Sequence, residues 1–236
     1  MKALLLAAGL GTRLQPLTHD IPKCLVEIGD QPLLGHWLDT LFESGIDSIL
    51  VNLHHHSEKV KKYVEARRDR FAIHLVYEKQ LLGTAGTVRA NSEFFNGEAG
   101  LVLHADNFCT ANISKFICAH EARPKEAALT MMTFVTDSPM ACGIVELDEQ
   151  SLVQEFHEKV TNPPSNLANG AIYVFEPEIL DFVRTSGSQV RDISRDVLPQ
   201  FLGRIFTWRT DGDLIDIGTM ANLEKARRLV RRPSAG

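Results

Sequence analysis

The amino-acid sequence predicts an α/β fold in three layers, with a mainly parallel but mixed central sheet. Two observations support this prediction. The first half of the chain alternates short apolar runs with segments of helical periodicity, and such alternation favours parallel strands joined by right-handed crossovers. The second half contains more extended segments, which makes the sheet mixed rather than purely parallel.

Local patterns place the individual elements. Residues 2–7 form a continuous apolar run, as in a strand buried on both faces. Residues 33–44 carry apolar side chains at helical spacing, and Gly45 follows as a stop. Ser57 is expected to cap the helix over 57–67. The other predicted strands cover 48–53, 73–77, 100–104, 127–135, 143–147, 152–157 and 170–175. The other predicted helices begin near Thr84 or cover 177–183, 193–202 and 219–231.

Composition and charge limit the possible functions. The chain has 236 residues, of which 44% are hydrophobic and 23% charged, enough for one α/β domain with a sizeable core. Its formal net charge of −5 disfavours a nucleic-acid or anionic-membrane binder. The four cysteines form no CxxC pair, and no apolar stretch is long enough to span a bilayer. We therefore expect a cytoplasmic protein with reduced thiols.

The first strand leads into a glycine-rich loop, Gly9-Leu10-Gly11-Thr12-Arg13-Leu14. Glycines at the carboxyl end of a strand let backbone N–H groups approach phosphate oxygens. The dinucleotide-binding fingerprint needs a third small residue where Leu14 stands, and the Walker loop needs a Gly-Lys-Ser/Thr sequence that is absent. Arg13 and Lys23, ten positions apart, can both reach one triphosphate. The loop therefore predicts a nucleotide phosphate site.

This loop and its continuation resemble the opening signature of the sugar nucleotidyltransferase family, GxGTRLxPLTxxxPKxL, at every fixed position. These positions are Gly9, Gly11, Thr12, Arg13, Leu14, Pro16, Leu17, Thr18, Pro22, Lys23 and Leu25. The resemblance implies a Rossmann-like single domain over 1–236, with a nucleotide-binding half (1–110) and a sugar-phosphate-binding half (111–236). It also implies that Arg13 and Lys23 are catalytic, and that Lys23, in a Pro-Lys loop, is not packed.

Two further segments extend the resemblance. Glu78 to Gly86 resembles the E-x-x-x-LGTAG segment, which lies against the nucleobase in the family, and its helix start would itself favour an anion. The implied nucleotide-binding residues are Leu6, Ala8, Gly9, Gly11, Thr12, Arg13, Gln80, Gly83 and Thr84. Asp106, after Ala105 where glycine is usual, and Asp216 in Asp216-Ile217-Gly218-Thr219 match the two carboxylates that bind Mg²⁺ in the family.

The sugar side matches less closely. Phe156 to Val160 resembles F-x-E-K-P with Val160 in place of proline, and Cys142 to Val145 resembles Y-G-x-V with Cys142 in place of the aromatic residue. Asn169 to Tyr173 resembles N-x-G-x-Y with its glycine shifted by one position. The residues implied to bind the sugar phosphate are Asn107, Gly143, Glu158, Lys159 and Asn169.

The resemblance implies an enzyme, monomeric or homodimeric, that joins a sugar 1-phosphate to a nucleoside triphosphate and releases pyrophosphate. The LGTAG segment resembles guanylyl- more than thymidylyl-transferring relatives, which predicts GTP as donor. The Pro22–Val26 run, the short length and the missing acyltransferase repeats resemble the enzymes that act on mannose 1-phosphate or a manno-heptose 1-phosphate. Three alternatives stay open at this point: a uridylyl- or thymidylyltransferase, a non-catalytic subunit that senses nucleotide sugars, and a dinucleotide-dependent oxidoreductase. The run His54-His55-His56 is interpreted as a strand end rather than a metal site, because adjacent strand residues point to opposite faces.

Overall fold

A computed structural model describes residues 1–46, 48–67 and 72–231. The chain forms two compact units, each assembled from separate stretches. The first unit comprises Met1–Leu4, Leu82–Leu103 and Asn112–Asp211, and the second comprises Leu5–Leu81, His104–Ala111 and Gly212–Gly236. The predicted functional division at residue 110 stays a prediction.

The described strands are β1 (Lys2–Leu6), β2 (Glu27–Ile28), β3 (Gln31–Pro32), β4 (Ser48–Leu53), β5 (Ala72–Tyr77), β6 (Gly100–His104), β7 (Asn107–Cys109), β8 (Leu129–Val135), β9 (Gly143–Leu147), β10 (Val153–Glu158), β11 (Leu167–Phe175), β12 (Ile205–Arg209) and β13 (Leu214–Asp216). The described α-helices are α1 (Leu33–Glu43), α2 (Ser57–Glu65), α3 (Thr84–Ala90), α4 (Ile113–Glu121), α5 (Pro177–Thr185) and α6 (Met220–Arg231).

In the first unit, β11 is the central strand. It pairs antiparallel with β6, β8 and β9, while β10 pairs antiparallel with β9 and β12 runs parallel to β8. Its last four residues, Ile172 to Phe175, are fully buried, so both faces of the strand are covered. Each such large side chain contributes about 1.5–3 kcal/mol of transfer free energy.

In the second unit, β4 and β5 pair in parallel from Ser48 opposite Ala72 to Leu53 opposite Tyr77. Helix α1 buries its apolar face, and the indole nitrogen of Trp37 donates a 2.8 Å hydrogen bond to the Asn107 carbonyl on β7. Short β7 pairs antiparallel with β13, and β2 pairs antiparallel with β3. The pairing of β7 with β13 brings the chain before β7 close to the chain after β13.

The predicted α/β class with a mixed, mainly parallel sheet is confirmed. Helix α4 and strands β2, β3, β7, β12 and β13 are additions to the predicted elements. Residues 193–201 form a π-helical turn followed by a 3₁₀ turn rather than an α-helix. The predicted cap at Ser57 is wrong. Helix α2 begins at Ser57 itself, and His56 holds the cap position with φ 53°, because its ring nitrogen bonds the His19 carbonyl.

Among the described residues, no helix has both the length and the apolar character needed to cross a bilayer. All four cysteines lie within these residues, and none forms a disulfide bond. Burial raises the pKa of the Cys24 thiol to about 12 and that of the Cys109 thiol to about 11. Both thiols are therefore protonated and unreactive near neutral pH.

Candidate active site

The glycine-rich loop lies in the second unit, and contacts within the loop and its continuation fix its conformation. Gly11 has φ +65°, and a Cβ atom there would lie 3.1 Å from the Thr18 methyl carbon, so a larger residue would be both strained and crowded. The Thr18 hydroxyl donates a 2.7 Å hydrogen bond to the Gly11 carbonyl. Leu6 and Ala8 are buried at the start of the loop, whereas Gly9, Thr12 and Arg13 are exposed.

The central feature of the second unit is a buried ammonium between two carboxylates. The Nζ atom of Lys23 lies 2.8 Å from Oδ2 of Asp106 and 2.7 Å from Oδ1 of Asp216. A guanidinium nitrogen of Arg13 lies 3.2 Å from the other Asp216 oxygen. We call these four residues the phosphate-side cluster. The structure thus brings together all four ionic residues that the sequence assigned to catalysis and metal binding.

Strand pairing explains how residues far apart in sequence meet here. Lys23 precedes Asp106 by 83 positions and Asp216 by 193. Asp106 directly precedes β7, Asp216 ends β13, and the antiparallel register sets Asp216 opposite Asn107. The Ile217 N–H donates to the Asp106 carbonyl at 3.3 Å, which closes the pair of strands. Both carboxylates therefore stand at one end of this small ribbon.

The expectation that Lys23 is not packed is wrong. Its side chain is only 6% exposed, whereas those of Asp106 and Asp216 are 36% and 45% exposed. Burial by itself raises the pKa of the Asp216 carboxyl, but the Lys23 ammonium, Arg13 and the Gly218 N–H together hold that pKa below its usual value. These partners thus favour the ionised form of the Asp216 carboxyl within the ion-pair network.

A buried hydrogen-bonded chain supports the start of the glycine-rich loop. The Glu78 carboxylate accepts a 2.9 Å hydrogen bond from the Asn52 amide, whose oxygen accepts from the Ala7 N–H at 2.7 Å. Glu78 also donates its own N–H to the Leu53 carbonyl at 2.8 Å. Sequence analysis overlooked Asn52, although a buried asparagine in an apolar strand was a usable sign of such a role.

The base-side segment, Gly83 and Thr84, lies at the start of α3 in the first unit. Gly83 has φ +80°, and a Cβ there would collide with the Arg191 carbonyl oxygen. That same oxygen accepts from the Ala85 N–H at 2.9 Å. At this helix start the N–H groups of Ala85 and Gly86 thus face a protein carbonyl, and the role of Gly83 and Thr84 in nucleotide binding stays a prediction. Gln80, assigned to the same role, is exposed on the loop that follows β5 in the second unit.

The segment that supplies this carbonyl is itself fixed by two aspartates that sequence analysis overlooked. Asp192 accepts from the Arg195 N–H at 3.0 Å, and Asp196 accepts from the N–H groups of Arg191 and Asp192 at 2.7 and 2.8 Å. The Ile193 N–H donates to the Thr84 hydroxyl at 2.8 Å. This reciprocal arrangement resembles a helix capping box, and its spacing could have been recognised in the sequence.

The sugar-side cluster, defined as Gly143, Glu158, Lys159 and Asn169, lies entirely in the first unit. A Cβ at Gly143 would lie 2.5 Å from the Phe156 ring and 2.8 Å from a Glu158 oxygen, so the glycine makes room for that carboxylate. The Lys159 ammonium lies 3.5 Å from Glu158, and its side chain is 58% exposed. The lysine is therefore free to reach a bound anion.

Two departures from the family pattern coincide with left-handed backbone. Lys159, before Val160, has φ +52°, a conformation that differs from the extended one a following proline would favour. Ala171 has φ +54° at the position where the family pattern has glycine. Asn169 stabilises this bulge in β11, because its side chain accepts from the Ala171 N–H at 2.9 Å and donates to the Tyr173 hydroxyl at 2.7 Å.

Asn107, the remaining residue assigned to the sugar phosphate, is buried on β7 in the second unit. The three consecutive histidines belong to no group of metal-ligand geometry among the residues that the structure describes. His54 instead bonds the Glu78 carbonyl at 2.8 Å, in agreement with the interpretation as a strand end.

A glycine-rich loop after the first strand, with two basic side chains and two carboxylates beside it, defines an α/β protein suited to holding a polyphosphate. The sequence profile of the family described as "Nucleotidyl transferase" matches residues 2–232. The chain belongs to this enzyme family, and the resemblance inferred from its motifs is confirmed.

The names of the curated relatives include more than one nucleotide specificity. The chain is 30% identical over 225 residues to a mannose-1-phosphate guanylyltransferase catalytic subunit beta of Xenopus tropicalis, covering 92% of this chain and 61% of that protein. It is 28% identical over 246 residues to a UTP–glucose-1-phosphate uridylyltransferase of Synechocystis, covering 97% of this chain and 63% of that protein. The chain thus spans about three fifths of the length of these relatives.

Solved structures share the fold. A putative glucose-1-phosphate thymidylyltransferase from Bacillus anthracis, in complex with a sucrose, matches with a TM-score of 0.88 at 21% identity, over 100% of this chain and 97% of that one. HddC from Yersinia pseudotuberculosis, complexed with GMP-PN, matches with a TM-score of 0.81 at 23% identity, over 98% and 99%. These likenesses confirm the fold class.

Proposed function

We propose that this protein transfers a nucleotidyl group from a nucleoside triphosphate, with GTP the best donor, to a manno-configured sugar 1-phosphate. The products are the nucleotide sugar and pyrophosphate. The observation that carries the proposal is the convergence of Arg13 and Lys23 with Asp106 and Asp216 beside the glycine-rich loop. Family membership supports the reaction type.

In this reaction an oxygen of the sugar phosphate forms a bond to the α-phosphorus, and the bond from that phosphorus to the pyrophosphate oxygen breaks. Phosphate monoesters have a second pKa of about 6, so the nucleophile is already an anion near neutral pH and no strong base is needed. The main barrier is repulsion between two polyanions. Arg13 and Lys23 would bind the triphosphate and stabilise the charge that develops on the departing pyrophosphate.

The donor set fits a Mg²⁺ ion. Asp106 and Asp216 supply the hard oxygen ligands that Mg²⁺ prefers, and this ion commonly binds one or two carboxylates together with substrate phosphates and water. The side chains of Asp106 and Asp216 are partly exposed, 36% and 45% respectively. When bound, the ion would supply further positive charge beside the phosphates.

The sugar-side cluster provides groups of suitable chemistry for the acceptor. The exposed ammonium of Lys159 would bind the sugar phosphate, and the Glu158 carboxylate, which lies in the space left by Gly143, would accept hydrogen bonds from sugar hydroxyls. Asn107 and Asn169 are further candidates. These roles follow the family motif residue by residue.

The choice of base and sugar rests on weaker support. The LGTAG segment and the guanylyltransferase relatives favour GTP with mannose 1-phosphate or a manno-heptose 1-phosphate, while the uridylyltransferase relative keeps UTP as the alternative donor. A site that hydrogen-bonds its ligand can discriminate strongly between bases. A non-catalytic sensing role is disfavoured because all four ionic residues of the phosphate-side cluster are present.

A matrix of kcat/KM values tests the proposal. Pyrophosphate release would be measured for GTP, UTP, dTTP, CTP and ATP, each against mannose 1-phosphate, a heptose 1-phosphate and glucose 1-phosphate. The Asp106→Asn variant serves as the inactive control and Lys125→Ala, an exposed lysine, as the neutral one. Preference for UTP or dTTP in every pairing would reject the guanylyl assignment, and no release in any pairing would reject transferase activity.

A further inference from the structure

The phosphate-side cluster is already charge-balanced without any ligand. Its two carboxylates face two cations, and Lys23 bonds one oxygen of each carboxylate at 2.8 and 2.7 Å. Arg13 takes the second oxygen of Asp216, and His104 lies 4.0 Å from the second oxygen of Asp106. Among the described residues of this cluster, each carboxylate thus already has a cationic side chain within 3.2 Å, which weakens its attraction for a free divalent cation.

The Lys23 ammonium also stands where a shared ion would stand. A Mg²⁺ ion binds carboxylate oxygens at about 2.1 Å. A Mg²⁺ ion held by the two oxygens now bonded to Lys23 would take the acceptors of the ammonium, and an ion on the remaining oxygens would lie next to a like charge. Ammonium and metal ion therefore compete for the same carboxylate oxygens.

When no nucleotide is present, the ammonium is favoured over the metal ion at these carboxylates. Lys23 is 6% exposed, so an ammonium expelled from between the carboxylates would be left with neither water nor a counter-ion. A triphosphate removes this difficulty, because its oxygens offer the ammonium new acceptors. Meanwhile the backbone of Lys23 stays fixed in the 3₁₀ turn Lys23–Leu25, whose Val26 N–H donates to the Lys23 carbonyl at 3.1 Å.

We propose that Lys23 occupies the metal position in the nucleotide-free protein and leaves it only when a metal–triphosphate chelate arrives. The inference rests on the proposed function, since it uses the same two carboxylates and the same lysine. It adds that free divalent cations bind this protein weakly, and that the chelate is the ligand the cluster accepts. One lysine thus holds the carboxylates in place before the reaction and binds phosphate during it.

The test is a titration with Mn²⁺ alone, followed by electron paramagnetic resonance, without nucleotide or sugar. Lys23→Met keeps most of the side-chain volume and removes the charge, and Lys125→Met makes the same change at an exposed position. We expect Lys23→Met to bind Mn²⁺ about 10- to 100-fold more tightly than the wild type, the range over which groups beside metal ligands alter affinity. Lys125→Met should match the wild type.

The double variant Lys23→Met with Asp106→Asn should lose the gain, which places the bound ion at this cluster. Equal Mn²⁺ affinity in the wild type and a folded Lys23→Met protein, with circular dichroism as the check on folding, would overturn the proposal. This comparison of Mn²⁺ affinities does not depend on catalytic turnover. A protein inactive with every substrate pair but showing the predicted gain would refute the proposed function and leave the inference on Lys23 standing.

A second measurement follows the wild-type side chain itself and needs a variant only to assign its resonance. In protein labelled with ¹⁵N-lysine, the Nζ resonance of Lys23 should stay in place on addition of millimolar Mg²⁺ and shift when GTP is added with the metal. Lys23→Arg identifies the resonance. A full shift with Mg²⁺ alone would show that the free ion displaces the ammonium, and the proposal would fail.

Discussion

The phosphate-side cluster and the sugar-side cluster are held in different ways. In the first, each charged group has a partner of opposite charge within 3.2 Å, and the surrounding loop matches the family signature at every fixed position. In the second, Lys159 and Ala171 adopt left-handed backbone, and the motifs depart from the family pattern at Cys142, Val160 and Gly170. The ionic residues that match the family motifs therefore lie in a network of paired charges. Apart from Ala105 beside Asp106, the departures are concentrated where we propose that the sugar binds.

The largest expected effect comes from variants of the phosphate-side cluster. Asp106→Asn and Asp216→Asn should each lower kcat at least ~10²-fold, the scale for losing a charge-stabilising element, while circular dichroism shows an intact fold. The assay is pyrophosphate release over a range of Mg²⁺ concentrations. Near-normal turnover of either variant in the presence of EDTA would refute the metal assignment.

Lys23→Ala should damage both turnover and stability. Because the ammonium is buried between two carboxylates, its loss leaves like charges facing each other, and we expect a decrease of about 1–3 kcal/mol in the free energy of unfolding. Urea denaturation at pH 7 measures it. Lys125→Ala, at an exposed position, should stay within about 0.5 kcal/mol. Unchanged stability of Lys23→Ala would mean that the observed ion pairs contribute nothing.

Lys159→Ala tests the sugar-side cluster and should have a selective effect. The side chain is mostly exposed, so stability should change by less than about 0.5 kcal/mol. The KM for the sugar phosphate should rise about 10-fold or more, as expected for losing a charge-assisted hydrogen bond, with little change in the KM for the triphosphate. An equal rise in both KM values would remove Lys159 from the sugar side.

Ala171→Gly should have the smallest effect, and its sign is favourable. A left-handed conformation costs a non-glycine residue roughly 1 kcal/mol, and the substitution restores the residue type of the family pattern at φ +54°. Because the extra backbone freedom of glycine in the unfolded chain costs about 0.5–1 kcal/mol, we expect a net gain of at most about 0.5 kcal/mol, measured by thermal unfolding. Ala168→Gly, on the same strand without a positive φ, should instead lose about 0.5–1 kcal/mol. A loss of stability in Ala171→Gly would show that packing of the Ala171 methyl group outweighs the relief of backbone strain.

Local sequence patterns predicted most of the fold. The boundaries of β4, β6 and β9 agree with the predicted residues, because each strand is mostly apolar and contains a short run of branched aliphatic residues. Strands β7 and β13 have only three residues each, too few to show periodicity, and they are defined by their pairing with each other. The cap at Ser57 failed because a contact from His56 to a distant loop determined the backbone there.

For the site, the sequence by itself determined which residues take part, since fixed-spacing motifs preserve residue identity and order. Only the tertiary structure decided their environment. Lys23 is buried because carboxylates 83 and 193 positions away come to it through the pairing of β7 with β13, and two N–H groups at the start of α3, those of Ala85 and Gly86, bond the Arg191 carbonyl. Burial and ion pairing depend on the path of the whole chain through space, and no local window of sequence contains that path.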